Sequence, residues 1–479
     1  MLTQTINIQM NLASHINEPL FKIIGQEAEK LGVEVYVIGG FVRDILLKRN
    51  TQDIDFVTNG KGIQLAQACA RALKIKKVDI FKTYGTAHFS YKNLDLEFVG
   101  ARKESYSANS RNPEVESGTL LDDQNRRDFT INALAISLQS VTFGNVIDPF
   151  DGLQDIDKKI LRTPLDPQIT FSDDPLRMMR AVRFANQLGF IIEETSLSAI
   201  ARNAERLKIV SMERISTELN KILLCKRPSD GFKLLFDTGL LLQFFPEMVK
   251  LSGVEKINGI AHKDNFYHTI QVLDNVCKWS DNLWLRWAAV LHDIAKPPTK
   301  RFEEGVGWTF HGHEDLGARM VPKIFSRLKL PLDHQMKYVQ KLVQLHLRPI
   351  ALTKEEISDS AIRRLLFEAG DDIDELMILC KADITSKNET KVKRYLANYE
   401  DVKIKLIELE EKDRIRNFQP PVSGELIMKT FGLKPGREVG IIKNAIKDAI
   451  LDGHIHNEFN EAIAFMIDEG KKIGLIAKS

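Results

Sequence analysis

The chain has 479 residues, 43% of them hydrophobic and 28% charged, with a net charge of +2. That length exceeds one core of usual size and predicts about three domains, and that balance is the composition of an ordinary folded chain, with no global excess of positive charge to announce nucleic acid. No apolar run approaches the roughly 20 residues of a membrane helix, and four widely spaced cysteines (Cys69, Cys225, Cys277, Cys380) exclude a disulfide frame or a zinc ribbon and point to buried thiols in a reducing compartment.

The opening stretch "MLTQTINIQMNLASH" lacks a basic segment followed by a long apolar one, so no secretory leader is expected and the location is predicted as cytoplasmic. Residues 1–30 read as a helical lead-in. "VEVYVIGG", "QDIDFVT", "TAHFSY" and "NLDLEFVG" are rich in β-branched and aromatic residues and predict strands. "GIQLAQACARAL" has apolar residues at three and four spacing and predicts a helix. "PFDGLQDIDKKILRTP" reads as a turn-rich connector. From Asp173 the pattern is helical almost to the end, broken by the loops "KPPTKRFEEGVGWTF" and "RNFQPPVSGELI". No internal repeat or long low-complexity stretch is present.

The first chemistry lies in "GGFVRDILLKRNTQDIDFV". Residues i and i+2 of a strand point the same way, so Asp53 and Asp55 project together. A core would not hold them unpaired. A divalent cation relieves their repulsion, and Mg²⁺ favours one or two protein carboxylates plus substrate phosphate oxygens. Gly39 and Gly40 allow close backbone approach to a triphosphate, Arg43 is placed to contact phosphate, and Glu97 offers a third carboxylate, followed by Arg102 and Glu104. An Asp-x-Asp alone is more often a turn cap; strand, Gly-Gly, helix and Asp-x-Asp strand together are harder to explain by packing.

In "RRDFTINALAI" a helix would set Asp128 and Asn132 one turn apart on one face, able to grip ribose hydroxyls, with Arg126 or Arg127 reaching phosphate. In "SDDPLRMMRAVRF" Asp174 and Arg177 are three apart on a predicted helix face. They are either a structural ion pair or a donor and acceptor edge that pairs with cytosine or adenine and leaves guanine and uracil mismatched.

The order GGxVRD, DxD, RRDxTxNA, DG…D and Asp-x-x-Arg, over roughly residues 20–250, resembles the bacterial-type (class II) tRNA nucleotidyltransferase and poly(A) polymerase family of CCA-adding enzymes. The resemblance implies an α+β fold: a small polymerase-β-like nucleotidyltransferase head (1–150) with a mixed sheet and helices, then an all-α neck (151–250). It implies Asp53, Asp55 and Glu97 as catalytic, Asp53 and Asp55 holding Mg²⁺. Gly39, Gly40 and Arg43 match its phosphate-binding segment, Arg127, Asp128 and Asn132 its ribose-binding motif, and Asp151, Gly152 and Asp155 its hinge-like motif. Asp174 and Arg177 match its protein template for the base, with Arg180, Arg183, Glu213 and Arg214 in the supporting helices. It implies tRNA, CTP and ATP as partners and no membrane; the sequence sets no oligomeric state.

Two departures stand out. Asp173-Asp174 replaces the family's Glu-Asp, and "SYSANSRNPEVESGTL" carries no placeable acidic residue of the family's flexible loop. Full CCA addition, CC- or A-addition and poly(A) synthesis stay open, although "FKTYGTAHFSY" stands where poly(A) polymerases carry an Arg-rich segment.

Further along, His268, His292-Asp293, His311, His313, His346 and Asp383 supply imidazoles and carboxylates suited to a divalent transition metal. Their order resembles the HD phosphohydrolase superfamily over about residues 260–390 (domain 251–395), with His268, His292, Asp293 and Asp383 as core ligands. His313 and His346 match the extra histidines of two-metal members, and His311 competes with His313. The alternatives are an active metal-assisted phosphohydrolase, with cyclic phosphate ends of RNA as one candidate substrate, and a scaffold with an idle site. Two other classes stay in play: a phosphohydrolase whose head only binds RNA, and an RNA-binding module without turnover. Residues 396–479 read as a helical tail able to contact tRNA.

Overall fold

The alternating residues of the first 150 positions build one mixed seven-stranded sheet. The computed structural model describes residues 10–82, 85–105, 114–352, 358–385, 389–413, 415–416 and 418–477. Residues 106–113, half of the loop 105–120 on which the choice between activities was expected to rest, thus lie outside the described residues. The chain divides into two compact units, Met1–Pro246 and Glu247–Ser479.

In the first unit, helix α1 (Pro19–Leu31) begins on a proline, whose missing N–H is harmless in the first turn, and stops at Gly32 in the left-handed region. There follow β1 (Val35–Ile38), α2 (Gly40–Leu46), β2 (Asp53–Thr58), α3 (Gly62–Ala72), β3 (Asp79–Phe81), β4 (Thr86–Tyr91) and β5 (Leu94–Gly100). A hairpin of β6 (Arg102–Ser105) and β7 (Glu114–Ser117), helix α4 (Leu120–Asn125), β8 (Ala135–Ser137) and β9 (Val146–Ile147) complete the head. The strand order is β3-β4-β5-β2-β1-β8-β9; β2 and β5 run parallel and the other neighbours antiparallel.

One face of β2 buries Ile54 and Phe56. Phe56 and Phe98 stack at 4.8 Å and Phe98 and Phe89 at 5.4 Å, with Phe21 of α1 lying 6.3 Å from Phe56. This aromatic row fixes the strands from behind. Period-two alternation then forces Asp53 and Asp55 onto the opposite face, and the parallel register sets Glu97 beside Asp55.

The helical part contains α5 (Gly152–Lys158), β10 (Ile160–Leu161), α6 (Pro167–Asp173), α7 (Leu176–Leu188), β11 (Ile191–Ile192), α8 (Glu194–Asn203), α9 (Met212–Leu223), α10 (Pro228–Asp237), α11 (Leu240–Phe244) and α12 (Pro246–Val249). Two sequence expectations fail here. The connector 149–164 contains helix α5, because Asp148 accepts from the backbone N–H of Gly152 and Leu153 and so caps it. "RRDFTINALAI" forms no α-helix: Thr130–Asn132 is a short 3₁₀ turn followed by β8, since the buried run that follows pairs with β1 and the sheet sets its conformation.

The second unit is helical, with α13 (Asn265–Val276), α14 (Leu283–Leu291), α15 (Lys296–Thr299), α16 (His313–Arg327), α17 (His334–Leu345), α18 (Arg348–Leu352), α19 (Asp359–Ala369), α20 (Ile373–Asp383) and α21 (Glu389–Asp413). The tail holds α22 (Gly424–Phe431), α23 (Arg437–Leu451) and α24 (Phe459–Lys472), and Arg364 of α19 pairs with Asp448 and Asp452. Helicity after Asp173 is less continuous than expected. Lys256–Ile257 pairs antiparallel with Ile260–Ala261, and the predicted loop after Asp293 is α15 plus a second hairpin, Arg301–Glu303 with Gly307–Thr309. Gly305 and Gly307 supply the positive φ of that turn, a signal that outweighs the pattern of short apolar runs. No helix among the described residues is long and apolar enough to cross a membrane.

Candidate functional site

Two clefts of about 690 and 540 Å³ open on the carboxylate face of the sheet, and both are lined by Asp55, Glu97, Arg127, Asp128 and Arg180. Burial raises the Asp55 carboxyl above its ordinary value; Arg127 opposes this and Asp53 adds to it. Burial and then Asp55 raise Glu97. Among the described residues none of Asp53, Asp55 and Glu97 forms an ion pair. Crowded, partly buried carboxylates of this kind fit a divalent cation, which would remove the repulsion that raises them.

Gly39 makes the turn between β1 and α2 at φ 84°, and a Cβ there would lie 2.6 Å from Nη1 of Arg127 and 3.4 Å from Oδ2 of Asp55. The glycine therefore serves both the backbone conformation and the approach of a guanidinium to the carboxylates. Gly39→Ala is expected to displace Arg127 and to cut turnover by about 100-fold, because shifts near 1 Å carry such losses. Gly40→Ala, with only an ordinary contact at 3.6 Å, should stay within a few-fold of wild type. Steady-state kinetics on both variants checks the contrast.

Arg43 was expected to reach for phosphate. It lines the smaller cleft and is largely buried, its Nε and Nη2 donating to Asp44 and its Nη1 to Oδ1 of Asn132 at 2.7 Å. Asn132 Nδ2 donates to Asp128 Oδ1 at 3.0 Å, and Arg180 donates to the other Asp128 oxygen at 2.7 Å. So Asp128 and Asn132 do meet, through a tight turn and not a helix face. Burial alone would raise Asp128, but Arg180 and Asn132 outweigh it and hold it down at about 2. Gly152 underlies this turn, since a Cβ there would sit 2.6 Å from the Thr130 carbonyl oxygen. Asp155, buried, accepts from Thr130 Oγ1 and from Arg162. Asp151 takes the left-handed conformation at the start of α5.

Asp174 and Arg177 line the larger cleft but do not share a helix face. Asp174 is extended, and Pro175 keeps it out of the helix that begins at Leu176. Its Oδ1 accepts from Leu176 N and its Oδ2 lies 3.7 Å from Arg214. Arg177 donates to the backbone carbonyls of Arg126 and Thr170 at 2.6 and 3.4 Å. Arg183 pairs with Glu218 of α9 and lies 3.8 Å over the Phe184 ring, with Arg43 and Arg180 5.0 and 5.3 Å from the same ring. Sequence reasoning missed Asp123, fully buried, which accepts from both Arg126 and Arg127. Its signal is the spacing Asp123-x-x-Arg126-Arg127, which on α4 brings both guanidinium groups to one carboxylate.

In the second unit the predicted ligands converge from five helices into two sets: His268, His292 and Asp383, then Asp293, His313 and His346, the candidate donor atoms of each set lying within 4.8 Å of one another. Asp293 faces both. Its Oδ2 lies 3.2 Å from His292 Nε2 and 3.4 Å from His268 Nε2, and its Oδ1 3.3 Å from His313 Nε2 and 3.9 Å from His346 Nε2. His292, His313 and His346 each set Nδ1 2.7 Å from a backbone carbonyl, of Ala289, Phe310 and Val343. That contact makes Nδ1 the donor and turns Nε2 of each ring toward the ligand sets. These three buried Nε2 atoms have no hydrogen-bond partner, an arrangement that fits metal ions better than a packed core. Burial and His292 lower His346 to about 3, while burial of His292 is outweighed by Asp293 and Asp383, which push it up to about 10. His311 is 84% exposed in its side chain and lies outside both sets, so the choice falls on His313.

A family model described as "Poly A polymerase head domain" matches residues 35–162, one described as "Probable RNA and SrmB- binding site of polymerase A" matches 189–251, and one described as "HD domain" matches 265–388. The chain is 31% identical over 360 residues, 72% of its length and 79% of the relative's, to the A-adding tRNA nucleotidyltransferase of Deinococcus radiodurans. It is 38% identical over 231 residues, 47% of its length and 55% of the relative's, to the CCA-adding enzyme of a Geobacillus strain. The chain spans about half the length of the CCA-adding relatives it matches. Its fold is like that of the Bacillus stearothermophilus CCA-adding enzyme solved with CTP, at a TM-score of 0.65 and 23% identity over 95% of this chain and 99% of that one.

Proposed function

The chain belongs to the tRNA nucleotidyltransferase family, and from that premise we propose that it adds CMP, CMP and AMP to tRNA 3′ ends, taking them from CTP and ATP without a nucleic acid template. The observation that carries this reading is the crowded trio Asp53, Asp55 and Glu97 beside a cleft walled by arginines. Asp53 and Asp55 would hold Mg²⁺, with Glu97 next to them. Bound there, such ions supply the charge that activates the tRNA 3′-hydroxyl and neutralises the pyrophosphate leaving group. The chain's own groups do the positioning. Arg127, steered by Asp123 and given room by Gly39, faces the triphosphate. Asp128 and Asn132, locked between Arg180 and Arg43, present a ribose-binding edge. Gly40 lines the phosphate side, and Arg180, Arg183 and Phe184 back it.

Base choice is assigned to Asp174 and Arg177. Arg177 is held by two backbone carbonyls, so its remaining N–H groups point from a fixed frame. A guanosine or uridine would leave buried polar groups unpaired, at a cost of about 1–3 kcal/mol each. Arg177→Ala is expected to weaken discrimination against UTP and GTP by about 10- to 100-fold. Unchanged selectivity would remove the template role.

The A-adding relative favours a second reading, in which the chain adds only the last residue. Extension of tRNA transcripts ending at the discriminator base, at C and at CC, each with CTP, ATP or both, decides. Three residues added in the order C, C, A support full CCA addition. Addition to the CC end alone supports the second reading, and long A tails a poly(A) polymerase. The second unit is proposed as a phosphohydrolase of the HD type, its two ligand sets holding transition-metal ions that would activate water toward a phosphate ester. With free cysteines and no spanning helix among the described residues, the cytoplasm is the proposed location.

A further inference from the structure

The smaller cleft of the first unit extends past the carboxylate trio to β4. Behind that strand Phe89 stacks on Phe98, so alternation turns Thr86, His88 and Ser90 toward the carboxylate face. Antiparallel register sets His88 directly opposite Glu97, and the parallel register of β2 and β5 sets Asp95 beside Asp53. His88 lines the cleft with 35% of its side chain exposed, and its Nε2 lies 3.4 Å from Oδ1 of Asp95. Ser90 Oγ donates to the same Asp95 oxygen at 2.7 Å. A pair this exposed adds little to stability, but it holds the ring beside the site. The arginines of the cleft stand on the other side. Arg127 lies against Gly39 at the end of β1, and Arg180 is tied through Asp128 and Asn132 to Arg43 of α2. In the sheet, β4 and β1 flank the strands β5 and β2 that carry the trio.

We propose that His88 binds the 2′-hydroxyl of the last ribose of the RNA acceptor, and so marks the side from which that end enters. The proposal rests on the reading of the first unit as a nucleotidyltransferase. In a phosphoryl displacement the attacking and leaving oxygens stand roughly in line, on opposite sides of the phosphorus. Asp53, Asp55 and Glu97 mark where that phosphorus sits. The pyrophosphate end of the nucleotide is drawn to the arginines on the β1 side, so the attacking 3′-hydroxyl comes from the β4 side. Residues directly opposite in an antiparallel pair have Cβ atoms about 4.5–5.5 Å apart, so a hydroxyl seated at Glu97 has His88 as its neighbour. The 2′-hydroxyl is on the adjacent carbon of the same ribose, and it both donates and accepts. An imidazole can take either role. A DNA end lacks the group, so the contact makes the chain favour RNA ends.

The test measures kcat and KM for the full chain with Mg²⁺, ATP and two CC-ended transcripts, one of which carries 2′-deoxycytidine at its last position. Wild type is expected to use the deoxy end about 3- to 10-fold less efficiently, the worth of one hydrogen bond. His88→Ala should lose the same factor on the ribose end, through KM for the transcript, and show no further loss on the deoxy end. Its KM for ATP should stay within about twofold of wild type, a readout that disturbed carboxylates would move. His88→Gln, which keeps a donor and an acceptor, should recover part of the discrimination. A wild type indifferent to the 2′-hydroxyl, discrimination intact in His88→Ala, or a raised KM for ATP in that variant overturns the role of His88 alone. If wild type extends neither transcript, the nucleotidyltransferase reading falls and this contact with it.

Discussion

Asp55→Asn is expected to abolish nucleotide addition and to make the chain more stable at neutral pH. The two effects have one cause. Burial and the neighbouring Asp53 raise the Asp55 carboxyl, so charging it in the folded state is unfavourable. A carboxylate whose folded value lies above its unfolded value of about 4 contributes least to stability once both forms are ionised. Wild type should therefore lose stability as pH rises from about 4 through the raised folded value. The amide is nearly isosteric and carries no charge, so this slope should flatten and the melting temperature at pH 7 should rise. Addition of CMP or AMP should fall by at least about 10³-fold, because a neutral amide cannot anchor the cations that activate the hydroxyl. Mg²⁺ should raise the melting temperature of wild type and not that of the variant. Asp53→Ala should likewise lose activity with its fold intact. Incorporation retained in either variant, measured with a CC-ended transcript and ATP, removes the head carboxylates from the mechanism.

How much of this was legible beforehand follows the range of the interactions. Asp53 and Asp55 were readable because strand periodicity is local, and Gly39 because a glycine pair between a strand and a helix is a turn signal. Glu97 was readable as a carboxylate on a second strand, but its place beside Asp55 is set by parallel register. The network through Arg43, Asn132, Asp128 and Arg180 was not. Its bonds join residues 89 and 52 positions apart, and no local pattern shows that Arg43 turns inward. Asp128 and Asn132 were paired for the wrong reason: the spacing suggested a helix, and a tight turn braced by Gly152 and Asp155 brings them together. Asp123 escaped because a carboxylate next to a cap residue looks like helix decoration until two arginines are seen on it. The second unit was readable as a ligand order and not as a geometry, since the bridging position of Asp293 needs five helices to be in place.

That bridging position carries the largest expected effect in the second unit. Each oxygen of Asp293 faces a different ligand set, so one substitution should empty both. Wild type purified in the presence of a transition metal and desalted should retain about two ions per chain, one for each set. Asp293→Asn should retain close to none. Asp383→Asn should weaken chiefly the set it shares with His268 and His292, and His311→Ala should match wild type, because His311 points to solvent. Stability follows the same order. Metal bound only by the folded chain adds RT ln(1 + [L]/Kd), about 4 kcal/mol at a thousandfold excess over Kd, so chelation should lower the melting temperature of wild type and leave Asp293→Asn unmoved. Asp293→Asn also strands Lys296, whose Nζ lies 2.6 Å from the lost charge, so its melting temperature should fall below that of the chelated wild type. Elemental analysis beside thermal melting separates these contributions. A full complement of metal in Asp293→Asn would mean that the two sets do not share this carboxylate. A wild-type chain that takes up no metal would return the histidines to the role of a polar core.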